Sequence, residues 1–384
     1  MKNFLIIAGF FIFGLILFSQ ELQYDAIAIN IEVPVRVFKG DRFIDNLTID
    51  DFEVYEDGKL QKIEAVYLIK KTGIAREESE IQKEIARKKF GPELSRQFVL
   101  IFEIKNILPE IESAILYFME KVIVPGDKLK LVTPVKTYRF KEESWKEVPR
   151  MEMADQLIKI LRRDVFTVYK GWLDPAGYPI GEGDAEREIR YNYVGKRYLN
   201  ENRLLEVAEN LKKMPGQKNV FLFLQQELID YPMPETSSSI SDIFGDLDYL
   251  NYLSTVAAYN FITPKKIKRA FADSSILLQF LYLKDKLFFG DNDFQPFRSP
   301  FDMMDTTGSM FSTFKDLSIA TGGMAHATIN PETTFKRAVE ESENYYLLYY
   351  LPKEYTADGK FKDIKVRVKN RKYRINHRAG YIAD

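Results

Sequence analysis

Three short apolar runs in the middle of the chain constrain its fold more than any other feature of the sequence. Short runs of this kind are typical of strands that are buried on both faces. Segments with helical periodicity separate and follow the runs. This alternation predicts a doubly wound, mostly parallel sheet with helices on both faces, in the α/β class. The three runs are Phe98–Phe102, Val220–Leu224 and Ile276–Tyr282.

Both ends of the chain have a different pattern. Ala26–Phe38 alternates between apolar and polar residues, which predicts a half-buried strand, and Asp57-Gly58 predicts a tight hairpin. We therefore expect an N-terminal β unit at residues 20–71, followed by a charged helix or linker at 72–95. Residues 352–384 also alternate, and we expect them to form strands that pair with the N-terminal unit, although pairing with the central sheet stays open.

Three stretches within the central α/β domain, which we place at residues 96–351, are predicted to be insertions. They are rich in Gly, Pro, Asp, Ser and aromatic residues, and loops of this length in a compact domain are usually functional or disordered. They are residues 172–194, 232–260 and 286–305.

The composition excludes several classes of function. The 55 basic residues nearly cancel the 56 acidic ones, so no net charge attracts nucleic acid. The chain has no cysteine, which excludes disulfides, thiolate catalysis and Cys-ligated zinc. Only two histidines, His326 and His377, are available for acid–base chemistry.

The first residues of the chain resemble a targeting segment. Lys2 provides a short basic region, and Phe4–Phe18 is apolar over the length of a signal-peptide core. We predict a signal peptide at residues 1–19 and export to the periplasm or the medium. An uncleaved membrane anchor is the alternative.

Motifs at both ends of the chain resemble, in order, those of the bacterial exported proteins called VWFA-related. The resemblance implies a von Willebrand factor A-like domain at residues 96–351, accompanied by a small accessory β domain. It also implies adhesion or partner binding outside the cytoplasm. The matching pieces are Ile31–Phe38, Leu47–Gly58, Gln61–Ile63, Thr321–Gly323, Tyr346–Tyr350, Gly359–Phe361, Ile364–Val368 and Arg378–Tyr381.

The family's metal site is degenerate in this chain. In such domains an Asp and two hydroxyl side chains follow the first buried strand, and these oxygen ligands suit Mg²⁺. Here Glu103 stands at the carboxylate position, while Lys105 and Ile107 replace the hydroxyls. An ammonium group has no lone pair and repels a cation. We therefore expect no metal and no cofactor.

Two interpretations of the degenerate site stay open. Its residues are an inert remnant, or Lys105 replaces the metal by pairing with Glu103 or Glu227. In the second case Glu103, Lys105, Asn106 and Glu227 are the candidate binding residues.

A second segment, Asp305–Met310, is close to the metal motif in sequence. No buried strand is predicted before it, and it occurs late in the domain. We interpret it as the start of a helix at Phe311–Ala320, with Thr307 or Ser309 as the N-cap.

The sequence thus predicts a non-enzymatic binding protein with a protein or cell-envelope partner. The alternative is a structural scaffold of an envelope assembly that acts through the β unit. A hydrolase is disfavoured because no set of nucleophile and base is visible.

Overall fold

A computed structural model describes residues 29–79, 90–140, 144–169, 201–226, 228–230, 263–284, 303–305 and 307–384. The predicted signal peptide and most of the three predicted insertions lie outside these residues. The strands, in chain order, are β1 (Ile31–Lys39), β2 (Arg42–Phe43), β3 (Phe52–Glu56), β4 (Lys59–Gln61), β5 (Ile63–Lys70), β6 (Gly73–Ser79), β7 (Arg96–Glu103), β8 (Lys128–Val132), β9 (Thr137–Arg139), β10 (Gln217–Gln225), β11 (Leu228–Asp230), β12 (Ile276–Leu283), β13 (Met303–Asp305), β14 (Ala325–Thr328), β15 (Asn344–Tyr350), β16 (Phe361–Val368), β17 (Arg374–His377) and β18 (Gly380–Ile382). The helices are α1 (Pro109–Tyr117), α2 (Ser144–Glu147), α3 (Arg150–Tyr169), α4 (Glu201–Lys212), α5 (Pro264–Asp273), α6 (Gly308–Ala320) and α7 (Pro331–Glu343), with a π turn at Phe118–Val122 after α1.

The three apolar runs lie in one six-stranded sheet of order β14-β12-β10-β7-β8-β9. β7, β8, β10, β12 and β14 are parallel, and β9 is an antiparallel edge. Both faces are covered, because α1, α3 and α7 pack on one side and α4, α5 and α6 on the other. This burial of both faces explains why the three strands contain little but apolar residues.

The strands at the two ends of the chain form two antiparallel sheets. One has the order β17-β1-β15-β5-β6, with β2 also paired to β1, and the other has the order β18-β16-β3-β4. Their facing sides share a core that includes Val33, Val35, Val54, Leu348 and Val366. The last strands of the chain thus pair with the first ones, β16 with β3 and β17 with β1.

The predicted fold class was wrong for the chain as a whole. Among the described strands, ten pairings are antiparallel and four are parallel. The protein is a mixed α/β fold rich in antiparallel sheet, not a doubly wound, mostly parallel von Willebrand factor A-like sheet with a small accessory β domain. The prediction failed because periodicity identifies a strand but not its partner. β15 has the sequence of a central α/β strand, yet it pairs with β1 and β5.

The charged segment after residue 71 also differs from the prediction. Its first part, Gly73–Ser79, is not a helix or linker but strand β6, which pairs with β5 at the edge of the antiparallel sheet. Charged residues on an edge strand hinder pairing with another chain. A high density of charged residues is therefore as typical of an exposed edge strand as of a solvated helix.

A buried guanidinium joins the parallel sheet to the antiparallel one. Arg378 follows β17, is 7% exposed, and donates hydrogen bonds to the Glu32 carbonyl oxygen (2.6 Å) and the Ser275 hydroxyl (2.7 Å). Its backbone also forms an isolated bridge with Thr321 at the end of α6. Gly322 follows at a φ of +76°, and a Cβ there would lie 2.8 Å from the His377 carbonyl carbon. The two sheets therefore contact each other through Arg378 and through Gly322, which has no side chain and leaves room for the backbone of His377.

Replacing Arg378 by Met should lower the free energy of unfolding by about 2–4 kcal/mol, because a buried carbonyl and hydroxyl lose a charged donor. Urea denaturation measures the change. Arg371→Met, at an exposed arginine, is the matched control and should change stability little. Equal effects of the two substitutions would contradict the role of Arg378.

A buried carboxylate sits between the two antiparallel sheets. Glu56 is 7% exposed, and its Oε2 accepts hydrogen bonds from the hydroxyls of Tyr350 (2.6 Å) and Tyr381 (2.9 Å). Burial raises the pKa of both tyrosines above the usual value of 10, and the charge of Glu56 raises them further. The folded state therefore holds both phenols neutral.

The protein should lose stability as the pH rises above 10, the pKa of a tyrosine in the unfolded chain. There the unfolded state releases phenolic protons that the folded state retains, so unfolding is favoured. Burial lowers the pKa of Arg36 to about 10, which has the opposite effect, but Tyr345 and Tyr349 are also raised and add to the loss. Urea titrations at neutral pH and above pH 10 measure this. An unfolding free energy that does not fall would contradict the burial of these phenols.

Candidate functional site at the carboxyl edge of the parallel sheet

The order of the parallel sheet reverses between β7 and β10. From β7 the chain continues to β8 on one side, and later to β10, β12 and β14 on the other. In parallel sheets with such a reversal, the loops that leave the two strands diverge, and the crevice at their carboxyl ends is the common ligand site. The candidate binding residues after β7 lie at this point.

A glutamine side chain holds the loop after β7. Gln225, the last residue of β10, is 8% exposed, and its Oε1 accepts hydrogen bonds from the backbone N–H groups of Lys105 and Asn106, both at 3.0 Å. One carbonyl oxygen thus satisfies two amides that the end of the strand leaves unpaired. The loop's backbone is fixed relative to β10 before any partner binds.

The loop presents its side chains at different depths. Glu103 is 5% exposed and Ile104 is fully buried, whereas Lys105 is half-buried and Asn106 is exposed. Ile107 packs against the core on the side of α1. Ile107 therefore contributes packing where a metal site would need a hydroxyl, and the accessible polar groups are those of Lys105 and Asn106.

The proposed pairing of Lys105 has no counterpart among the described residues. No ion pair within 4 Å joins Lys105 to Glu103 there, and Glu227 lies outside the residues that the structure describes. The structure thus brings Glu103, Lys105 and Asn106 into one loop and adds Gln225, whose role was not predicted. The sequence signal for this role is the position of Gln225, a polar residue directly at the end of a buried strand.

The segment that resembles the metal motif in sequence begins a helix. α6 starts at Gly308, three residues before the predicted start at Phe311, with Thr307 at the N-cap position, but the Thr307 side chain makes no capping hydrogen bond. Its hydroxyl instead lies 2.8 Å from the hydroxyl of Tyr282. Its first residue, Asp305, ends the three-residue strand β13, which pairs with β11 and was not predicted.

Neither histidine lies at this crevice. His377 is in the antiparallel sheet, where its Nε2 accepts a hydrogen bond from the Val366 amide (3.2 Å) and burial lowers its pKa. His326 is on β14, with its Nε2 3.7 Å from a carboxylate oxygen of Glu341. Both imidazoles thus contact other residues of the fold and not the loop after β7.

Within the described ranges, no group of three or more His, Asp or Glu side chains is arranged to hold a metal ion. No helix in the same part of the chain is long and apolar enough to cross a membrane.

Adding Mg²⁺ or a chelator should leave the melting temperature unchanged, because Lys105 and Ile107 offer no oxygen ligands beside Glu103. Differential scanning calorimetry measures this. A rise of the melting temperature with Mg²⁺ that Glu103→Gln abolishes would show that the site binds metal after all.

No protein-family model matches the chain, and no curated protein does.

Proposed function

We propose that this chain is an exported, non-enzymatic binding protein that recognises a protein or cell-envelope partner through the loop after β7, without a metal. The observation that carries the proposal is the double hydrogen bond from Lys105 and Asn106 to Gln225. A loop fixed in advance loses less conformational entropy when a partner binds.

The position of the loop also supports recognition. It lies at the reversal of strand order, where parallel sheets commonly bind their ligands. Lys105 offers a cation, and Asn106 offers both a donor and an acceptor, for polar groups of a partner. Export rests on Lys2 and the apolar run Phe4–Phe18 that follows it.

The scaffold hypothesis remains as the second candidate, and a different observation favours it. Leu60 on β4 and Ile74 on β6 are 51% and 42% exposed. Exposed apolar side chains on edge strands can contact another subunit. In this case the partner would bind the antiparallel sheets rather than the loop after β7.

Photo-crosslinking in the native cell distinguishes the two functions. A benzoylphenylalanine is placed either at Asn106 or at Leu60 in the full-length protein. We expect a discrete adduct from position 106, undiminished by a chelator and reduced by Lys105→Glu, which reverses the charge of the loop. Gln225→Leu should also reduce it, because it frees the two amides.

Lys265→Glu, at an exposed lysine on α5, is the control for the change of charge and should leave the adduct intact. An adduct from position 60 alone would support the scaffold and contradict recognition by the loop. Adducts from neither position would contradict both functions.

A further inference from the structure

A cleft separate from the crevice lies between the β8–β9 edge of the parallel sheet and helix α4. Its volume is about 570 Å³, within the usual range for small-molecule sites of roughly 300–1,000 Å³. The cleft exists because α4 packs over β7 and β10 through Leu204, Ala208 and Leu211, while β9 extends the sheet beyond it.

The polar lining of the cleft is mostly cationic. It comprises four cations, one carboxylate and two neutral polar side chains, namely Lys130, Lys136, Arg139, Arg203, Glu206, Thr137 and Asn210. Glu206 lies 3.8 Å from Arg203 on the same helix. In the described part of the chain, no carboxylate lies within 4 Å of Lys130, Lys136 or Arg139.

Two of these cations oppose each other directly across neighbouring strands. Lys130 of β8 and Arg139 of β9 are register partners. Like charges in this arrangement destabilise a sheet, whereas an opposite charge at either position would stabilise it. Burial of half of Lys130 lowers its pKa, and the charge of Arg139 lowers it further. The fold thus keeps a repulsive pair that a bound anion would relieve.

The remaining wall of the cleft is apolar. Val99 and Val132 of the sheet and Val207 and Leu211 of α4 line it, together with Val135, which follows β8 and is 42% exposed. Cations beside such a wall match a ligand with an anionic head and a compact apolar body. A guanidinium and ammonium groups together suit the several oxygens of a phosphate.

We propose that this cleft binds an organic phosphate, with the phosphate between Lys130 and Arg139 and the apolar group against Val135 and Val207. This site is independent of the loop after β7. It adds a small-molecule ligand to the protein partner that the loop would bind.

Isothermal titration calorimetry with phenyl phosphate tests the proposal on the intact protein. We expect saturable binding that weakens as salt is added, because salt screens the attraction between the phosphate and the cations of the cleft. Lys130→Gln and Arg139→Gln should each weaken the binding about tenfold. Lys265→Gln, at an exposed lysine of α5 that does not line the cleft, is the matched control and should bind as the unchanged protein does. Benzyl alcohol, which is neutral, should not bind.

The melting temperature without ligand separates binding from folding. Lys130→Gln removes a like-charge opposition, so it should melt at or above the temperature of the unchanged protein. Weaker binding together with a lower melting temperature in both variants would assign the cations a structural role and overturn the proposal. Equal binding by Lys130→Gln and Lys265→Gln would do the same. Inorganic phosphate binding as tightly as phenyl phosphate would overturn the role of the apolar wall.

Discussion

The buried guanidinium of Arg378 is the contact on which the arrangement of the two halves depends. It comes from the segment between β17 and β18, yet its partners are the backbone of β1 and the turn before β12. Burying a charged group is costly unless it is hydrogen-bonded, and both terminal nitrogens of Arg378 donate across the junction, whereas its Nε has no partner among the described residues. Burial lowers the pKa of Arg378, which reflects the cost of keeping the charge there. The position of the parallel sheet relative to the antiparallel ones is thereby fixed by directional bonds.

This junction holds the parallel sheet against the antiparallel sheets, and each half has buried polar contacts of its own. At the carboxyl edge of the parallel sheet, Gln225 holds the loop of Lys105 and Asn106. The antiparallel sheets enclose a core of their own, in which Glu56 joins Tyr350 and Tyr381. Polar groups are thus buried in both halves, and Gln225 and Glu56 each accept hydrogen bonds from residues distant in sequence. Such networks favour one packing over others, because a partly satisfied alternative is costly.

The loop after β7 and the cleft beside β9 illustrate two ways of preparing a site. In the loop, hydrogen bonds to Gln225 satisfy the backbone and leave side chains available. In the cleft, Lys130 and Arg139 are placed where they repel each other. The first arrangement adds to stability and the second reduces it, and natural proteins often accept such a local cost at functional sites. The two sites use different residues and suit different ligands.

The sequence by itself determined which segments are strands and helices wherever one periodicity dominates. The buried runs such as Phe98–Phe102 and the alternating strand around Val33 follow from local patterns of hydrophobicity. It also determined the residues of the loop after β7, since Glu103, Lys105 and Asn106 are adjacent in the chain. Only the tertiary structure decided that β15 pairs with β1 and β5 instead of joining the parallel sheet, and with it the predominance of antiparallel sheet. β1 and β15 pair although most of the chain separates them. A local pattern of hydrophobicity identifies each strand but does not show which distant strand is its partner. For the same reason, the sequence did not reveal the bonds of Gln225, the burial of Arg378 or the opposition of Lys130 and Arg139, which exist only once distant segments lie side by side.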